Sequence, residues 1–313
     1  NNNIITSGSQ SICYINNSVC GYNPNLDINP QINIIYEGVS NSKSLGTGYY
    51  LWEFLTFNGS SIIPGNAYQL PQCNINNNPY GGYNGIYGLL NCIAIEYGGI
   101  TAIVRFYVPS GGQGVILSFQ SAQYPNSSMD NWSPWIYIGN NGYLYIGDWA
   151  GNPWQLSIPI STGWHTLVFS EYAIYNGSSY VYYIKAWFDG KYIGENSTTY
   201  LPQLFGAGSP PSSYPYNDIG TGFSAGAWPA TNQNWYFFNG SIEYIAIYPG
   251  PVNQSELSIF NNPILPSNLP PGYVALYTAD SYYNNGQELL DLSGNNNTAI
   301  LVNGTYPVQL NIQ

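Results

Sequence analysis

Charge is the scarcest commodity in this chain. Asp, Glu, Lys and Arg together make up 6% of its 313 residues, against about 25% in an ordinary globular protein. The only bases are Lys43, Arg105, Lys185 and Lys191, too few to neutralise a phosphate backbone, so nucleic acid is excluded as a partner. Fifteen acids give a formal charge of -11. The surface must therefore rely on amides, hydroxyls and phenols, whose solubility responds little to pH, which suits an exposed and acidic setting. Histidine occurs once and cysteine four times, with no CxxC pair and no His-rich cluster, which argues against zinc. No apolar run is long enough to span a membrane, and no signal peptide is present.

What fills the space is Gly (35), Pro (22), Tyr (32) and many Asn, a composition for short strands joined by turns. The expected class is all-β: a two-sheet antiparallel jelly-roll sandwich with a β-rich N-terminal extension and a C-terminal strand segment. Residues 1–70 read as the extension or a small subdomain, through INIIYEGV and YYLWEFLTF. PQCNINNNPYGGY (71–83) is loop-like. Beyond it GITAIVRFYV (99–108), GVILSFQS (114–121), WIYIG (135–139), YLYIGDW (143–149), HTLVFSEY (165–172) and SYVYYIKAWFDG (179–190) carry strand signals. Two-residue hairpin turns are expected at Asn141-Gly142 and Asp189-Gly190. After a long Pro/Gly/Ser/Tyr-rich excursion (202–235), FFNGSIEYIAIYPG (237–250) returns as a strand. NQSELSIFNN (253–262) reads as a helical turn with a capping box. A proline-rich linker, 263–272, separates the sandwich (71–262) from a terminal block, 273–313.

Three stretches together resemble the laminin-G-like, concanavalin A-like jelly-roll family: GWHTLVFSEYAIYNGSSYVYYIKAWFDGKYIG (163–194), FNGSIEYIAIYPGPVNQSELSIF (238–260) and GYVALYTADSYYNNGQELLDLSGNNNTAILVNG (272–304). The resemblance implies a sandwich used for glycan binding, adhesion or extracellular structure, often with calcium. Trp164, His165, Asp189 and Gly190 carry over as fold residues, and His165 is read as packing rather than catalytic. Family members that cleave glucans set carboxylates along one strand, but Glu96, Glu171, Glu195 and Glu243 each lack an acid two residues away. GxSxG, HExxH and phosphate loops are missing too, so enzymatic activity is disfavoured. A lectin-like surface could instead use Trp132 and Trp135 of NWSPW with Trp149 and Trp154 of GDWAGNPW, stacked on sugar rings, while Asp130 and Asp148 could ligate calcium.

Ten Asn-x-Ser/Thr sequons start at Asn16, Asn58, Asn126, Asn131, Asn176, Asn196, Asn239, Asn253, Asn296 and Asn303. They make covalent N-glycans an expected addition. Cys13, Cys20, Cys73 and Cys92 fit two disulfides; of the three connectivities, Cys13 with Cys20 and Cys73 with Cys92 is the local choice. Both features point to an extracellular or cell-surface protein after removal of a signal peptide. The terminal block, whose DLSGNNN turn resembles the family's opening strand, stands last. It begins a truncated second domain, folds back as a permuted strand, or completes a neighbouring molecule's sandwich. A lone hairpin of roughly 40 residues buries too little apolar surface to stand alone. The expectation is a self-assembling subunit of a surface filament or lattice, built by strand donation from 273–313. A monomeric carbohydrate-binding adhesion module is the alternative and a glycoside hydrolase the third choice.

Overall fold

The computed structural model describes residues 42–44, 50–60, 63–148, 154–208, 213–223, 235–252 and 269–312. Two nine-stranded sheets face each other, and every strand pair in them is antiparallel. The first runs β1 (Ser42–Ser44), β2 (Tyr50–Phe57), β15 (Gly240–Pro249), β6 (Gly99–Val108), β11 (Gly163–Tyr175), β12 (Tyr180–Phe188), β13 (Lys191–Thr198). To it, β16 (Ala275–Thr278) adds on β15 and β20 (Gln309–Ile312) on β2. The second runs β10 (Trp154–Pro159), β9 (Tyr143–Ile146), β8 (Trp132–Ile138), β7 (Gly114–Gln120), β14 (Tyr216–Ile219), β3 (Tyr68–Gln69), β19 (Ala299–Leu301), β18 (Glu288–Leu289), β17 (Tyr282–Tyr283). A small hairpin, β4 (Gln72–Ile75) with β5 (Gly85–Gly88), stands apart within the stretch expected to be loop.

The all-β sandwich expected from composition is therefore present, and each strand expected between 99 and 190 lies on an observed one. Period-two alternation sorts its faces. On β6, Ile100, Ala102, Val104, Phe106 and Val108 enter the core between the sheets, whereas Ile103 joins a second cluster on the outer side with Val168, Trp187 and Tyr244. The outer side of the second sheet is covered by Phe223, Trp235 and Phe237, and by the stacked pair Tyr137 and Tyr145. At the Asp189-Gly190 turn both residues have positive φ, 48° and 77°, as a two-residue hairpin requires. At Asn141-Gly142 only Gly142 does (79°); the Asn141 side chain instead accepts from the Tyr143 amide.

One helix, α1 (Leu89–Tyr97), has no forerunner in the sequence reading. Its stretch LLNCIAIEY is apolar all round, with Leu89 to Ile95 buried, so it shows no amphipathic stripe. Its N-cap, Gly88, offers no side chain. The Leu90 amide is satisfied by Asn217 Oδ1 of β14 at 2.7 Å, a cap supplied from 127 residues away. A Cβ on Gly88 would meet that Asn217 side chain at 2.2 Å. Cys92 of α1 is joined to Cys73 of β4, so that bond forms as expected. Cys13 and Cys20 lie outside the described residues, as do the helical turn and most of the linker.

The terminal block lies in the chain's own sheets: β16 extends along β15, β19 pairs with β3, and β20 pairs with β2. The strand set thus includes 50–57, 68–69 and 275–312, so the boundaries expected at 70 and 262 fall within the sandwich. The DLSGNNN turn is the anchor. Asp291 accepts from the amides of Leu276, Ser293 and Asn297 and from the Ser293 hydroxyl, at 2.8–3.0 Å. Meanwhile the Val274 carbonyl receives the side chains of Ser293, Asn295 and Asn297.

Candidate functional site

A small recess, with free space of about 20 Å³ and partly open to solvent, lies where the β12–β13 edge of the first sheet overhangs the end of β9 in the second; Tyr182, Ile184, Asn196, Thr198 and Pro202 are among the residues that line it. At its floor stand two acids, Asp148 and Glu171. Glu171 is on the inward face of β11, in line with Leu167 and Phe169 of the core. Asp148 follows Gly147, whose positive φ (90°) turns the chain out of β9; a Cβ there would meet Ile184 at 3.3 Å.

The two carboxyls share the floor of the recess, so a charge on Asp148 disfavours a second one on Glu171. Trp135 Nε1 donates to Glu171 Oε2 at 2.8 Å, and the Leu204 amide donates to Asp148 Oδ2 at 2.9 Å. Burial, then the Asp148 charge, push the Glu171 carboxyl well above the usual carboxylate range. Tyr182, itself buried in the core, walls the recess and links it to a run of rings: it is 5.2 Å from Phe205 and 6.4 Å from both Tyr80 and Tyr180, and Tyr180 is 5.3 Å from Tyr175. Tyr175 is 58% exposed, so this aromatic run reaches solvent. Burial and the neighbouring phenols push the Tyr182 hydroxyl up to about 12, which keeps it a neutral donor.

The sequence reading took each glutamate alone and missed this pair, because its members stand 23 residues apart on different sheets. Of the tryptophans singled out, Trp135 is wholly buried with its indole N–H spent on Glu171. Trp132 packs edge-on against Phe223, Trp154 lies over Gly194, and Trp149 is outside the described residues. Trp135 is thus closed to a sugar ring, and the large exposed aromatics include Tyr175, Tyr192 and Tyr200. Asp130 sits on an exposed loop while Asp148 faces Glu171. Among the described residues no group of three or more His, Cys, Asp or Glu gathers as for a metal.

His165 closes the other end of the inner core, stacked on Phe188. Nδ1 lies 2.7 Å from Asp189 Oδ2 and Nε2 lies 2.7 Å from the Ser161 carbonyl, two acceptors that favour the protonated ring. Burial works against that charge, but the Asp189 and Ser161 hydrogen bonds raise its pKa above the ordinary histidine value. On the outer face, a bulge in β15 turns Glu243 to Arg105, which donates to it at 2.5 Å and to Thr166 at 3.0 Å. Both are structural clamps, remote from the recess.

Six of the sequon asparagines are exposed: Asn58, Asn126, Asn176, Asn196, Asn296 and Asn303. Asn239 is half-buried, and Asn16 and Asn253 lie outside the described residues. Asn131 is the departure from expectation: it is buried against Gly208, and Ser133 of its sequon is buried as well. No described helix is long and apolar enough to cross a membrane.

No family model matches the chain, and no curated protein matches it. Solved structures do. A native heptameric SAP-like pentraxin from Limulus polyphemus aligns over 83% of this chain and 95% of its own, at 12% identity and TM-score 0.43. A mutant of Trypanosoma rangeli sialidase displaying trans-sialidase activity covers 74% of this chain and 38% of its own, at 11% and 0.34. The binding domain of botulinum neurotoxin serotype C1 covers 68% and 48%, at 11% and 0.32. Likenesses this remote assign neither ligand nor activity.

Proposed function

We propose that this protein is an extracellular glycan-binding β-sandwich module that takes a neutral saccharide chain along the tyrosine run and into the Asp148–Glu171 recess. The observation that carries the reading is Tyr182, which belongs both to the recess wall and to the run that reaches solvent at Tyr175. Sugar rings present apolar faces that suit flat phenols, and their hydroxyls suit the two acids, Asn196 and Thr198.

The test is titration of the intact chain with a panel of neutral oligosaccharides by calorimetry. Saturable binding weakened at least tenfold by Tyr175→Ala, an exposed position whose change leaves the thermal midpoint unaltered, supports the reading. Absence of binding at millimolar sugar, or full affinity in the variant, sinks it.

A second reading, a subunit of a surface filament, draws on the β16, β19 and β20 pairings: the same strands given to a neighbour would leave β15, β3 and β2 with open edges. Deleting 273–313 and looking for loss of assembly by electron microscopy separates the two.

A further inference from the structure

On the outer face of the second sheet, under the aromatic cover of Trp132, Phe223 and Trp235, lies a polar cluster remote from the recess. Asp218 of β14 stands opposite Ser118 of β7 in register, and Gln120 follows two residues along the same face. Asp218, Gln120, Ser118 and Thr221 are all wholly buried. Gln120 Nε2 donates to Asp218 Oδ2 at 2.6 Å, and the Ser118 hydroxyl donates to the Thr221 carbonyl at 2.7 Å. Three oxygens remain without a hydrogen-bond partner: Asp218 Oδ1, Gln120 Oε1 and Thr221 Oγ1.

Burial pushes the Asp218 carboxyl up to about 8, because an ionised carboxylate with an unmatched buried oxygen is among the costliest features a fold can hold; a cation beside it would supply the missing countercharge. Among the described side chains no cation comes to it. All four bases belong to strands of the first sheet, and Arg105 and Lys185 are committed there to Glu243 and the Val252 carbonyl. The donors on offer are a carboxylate, an amide carbonyl and a hydroxyl, all hard oxygen, which favours a hard cation over zinc or copper. The single carboxylate balances one positive charge. A calcium ion would leave a buried charge unbalanced and takes six to eight oxygens.

We infer that Asp218, Gln120 and Thr221 bind a buried monovalent hard cation of the sodium class, which braces β7 to β14 and the turn that follows. The site is independent of the glycan reading.

The experiment uses the intact chain, with urea unfolding followed at constant ionic strength while sodium chloride replaces choline chloride. The expected result is a midpoint that rises saturably with sodium, and a sodium affinity at least tenfold weaker in Asp218→Asn. Thr221→Val keeps the shape and guards against a failure of that variant to fold. If a cation is bound, it lowers both the midpoint and the sodium response; if the pocket is dry or holds only water, removing an unmatched hydroxyl leaves stability unchanged or higher. Coincident curves in sodium and choline, or a stabilised Thr221→Val, would overturn the assignment, and so would a response to calcium without one to sodium.

Discussion

Replacing Asp291 should loosen the whole C-terminal edge. Its carboxylate gathers the amides of Leu276, Ser293 and Asn297 and the Ser293 hydroxyl, while the Ser293 hydroxyl can turn to the Val274 carbonyl it already touches. Asp291→Ala therefore orphans three main-chain donors. At about 1–3 kcal/mol for each buried donor left unmatched, with water reaching some of them, the cost is about 3–5 kcal/mol. Asp291→Asn keeps one accepting oxygen but sets an NH₂ against the Asn297 amide or the Leu276–Ser293 side, for about 1–3 kcal/mol. A domain holds only about 5–15 kcal/mol in total, so the alanine variant should lose roughly a third of it. Denaturant unfolding of the intact chain near pH 6 measures this, with unchanged m-values. Hydrogen exchange should speed up first in residues 274–278, the strand that the turn pins to β15. An alanine variant within about 0.5 kcal/mol of the parent, with unaltered exchange there, refutes the reasoning.

Two further outcomes follow from the same geometry. Changing Cys73 and Cys92 together to alanine opens a bridge with a sequence separation of 19, and chain entropy for a loop of that size sets the loss at about 3 kcal/mol, so a double variant as stable as the parent contradicts it. Stability should also fall with rising pH. Burial raises the carboxyls of Glu171, Glu243 and Asp291, and Asp189 with Ser161 raises His165, so the folded chain holds more protons than the unfolded one above the ordinary carboxylate value of about 4 and, for the histidine, above about 6.5. The sign is that of groups whose stabilising protonation is complete in acid and lost as pH climbs through their folded values. Thermal midpoints should thus decline from about pH 4 towards pH 8, less steeply in Glu171→Gln, and a rise over that range would show the sign to be wrong.

Strands were legible where β-branched and aromatic residues alternate without interruption, as in 99–108 and 179–190, because burial of one face specifies both the strand and its register. The helix at Leu89–Tyr97 was not, because its apolar residues run all round and its cap is Asn217 of another strand. The DLSGNNN motif announced a turn, and the turn formed. What it anchored could not be read along the chain, since β16 and β19 find their partners at β15 and β3.

The candidate site divides the same way. Tyrosine abundance and the shortage of charge were plain from composition, and both follow from counting. That Glu171 meets Asp148 under Trp135, that Asp218 is wholly buried opposite Ser118, and that Asn131 is packed against Gly208 depend on which faces of two sheets are brought together. The sequence by itself determined an all-β chain of low charge with its strands and turns in order. The pairing of distant acids and the burial of unmatched oxygens were decided only in three dimensions, because burial and proximity, not residue type, set the chemistry of a carboxyl group.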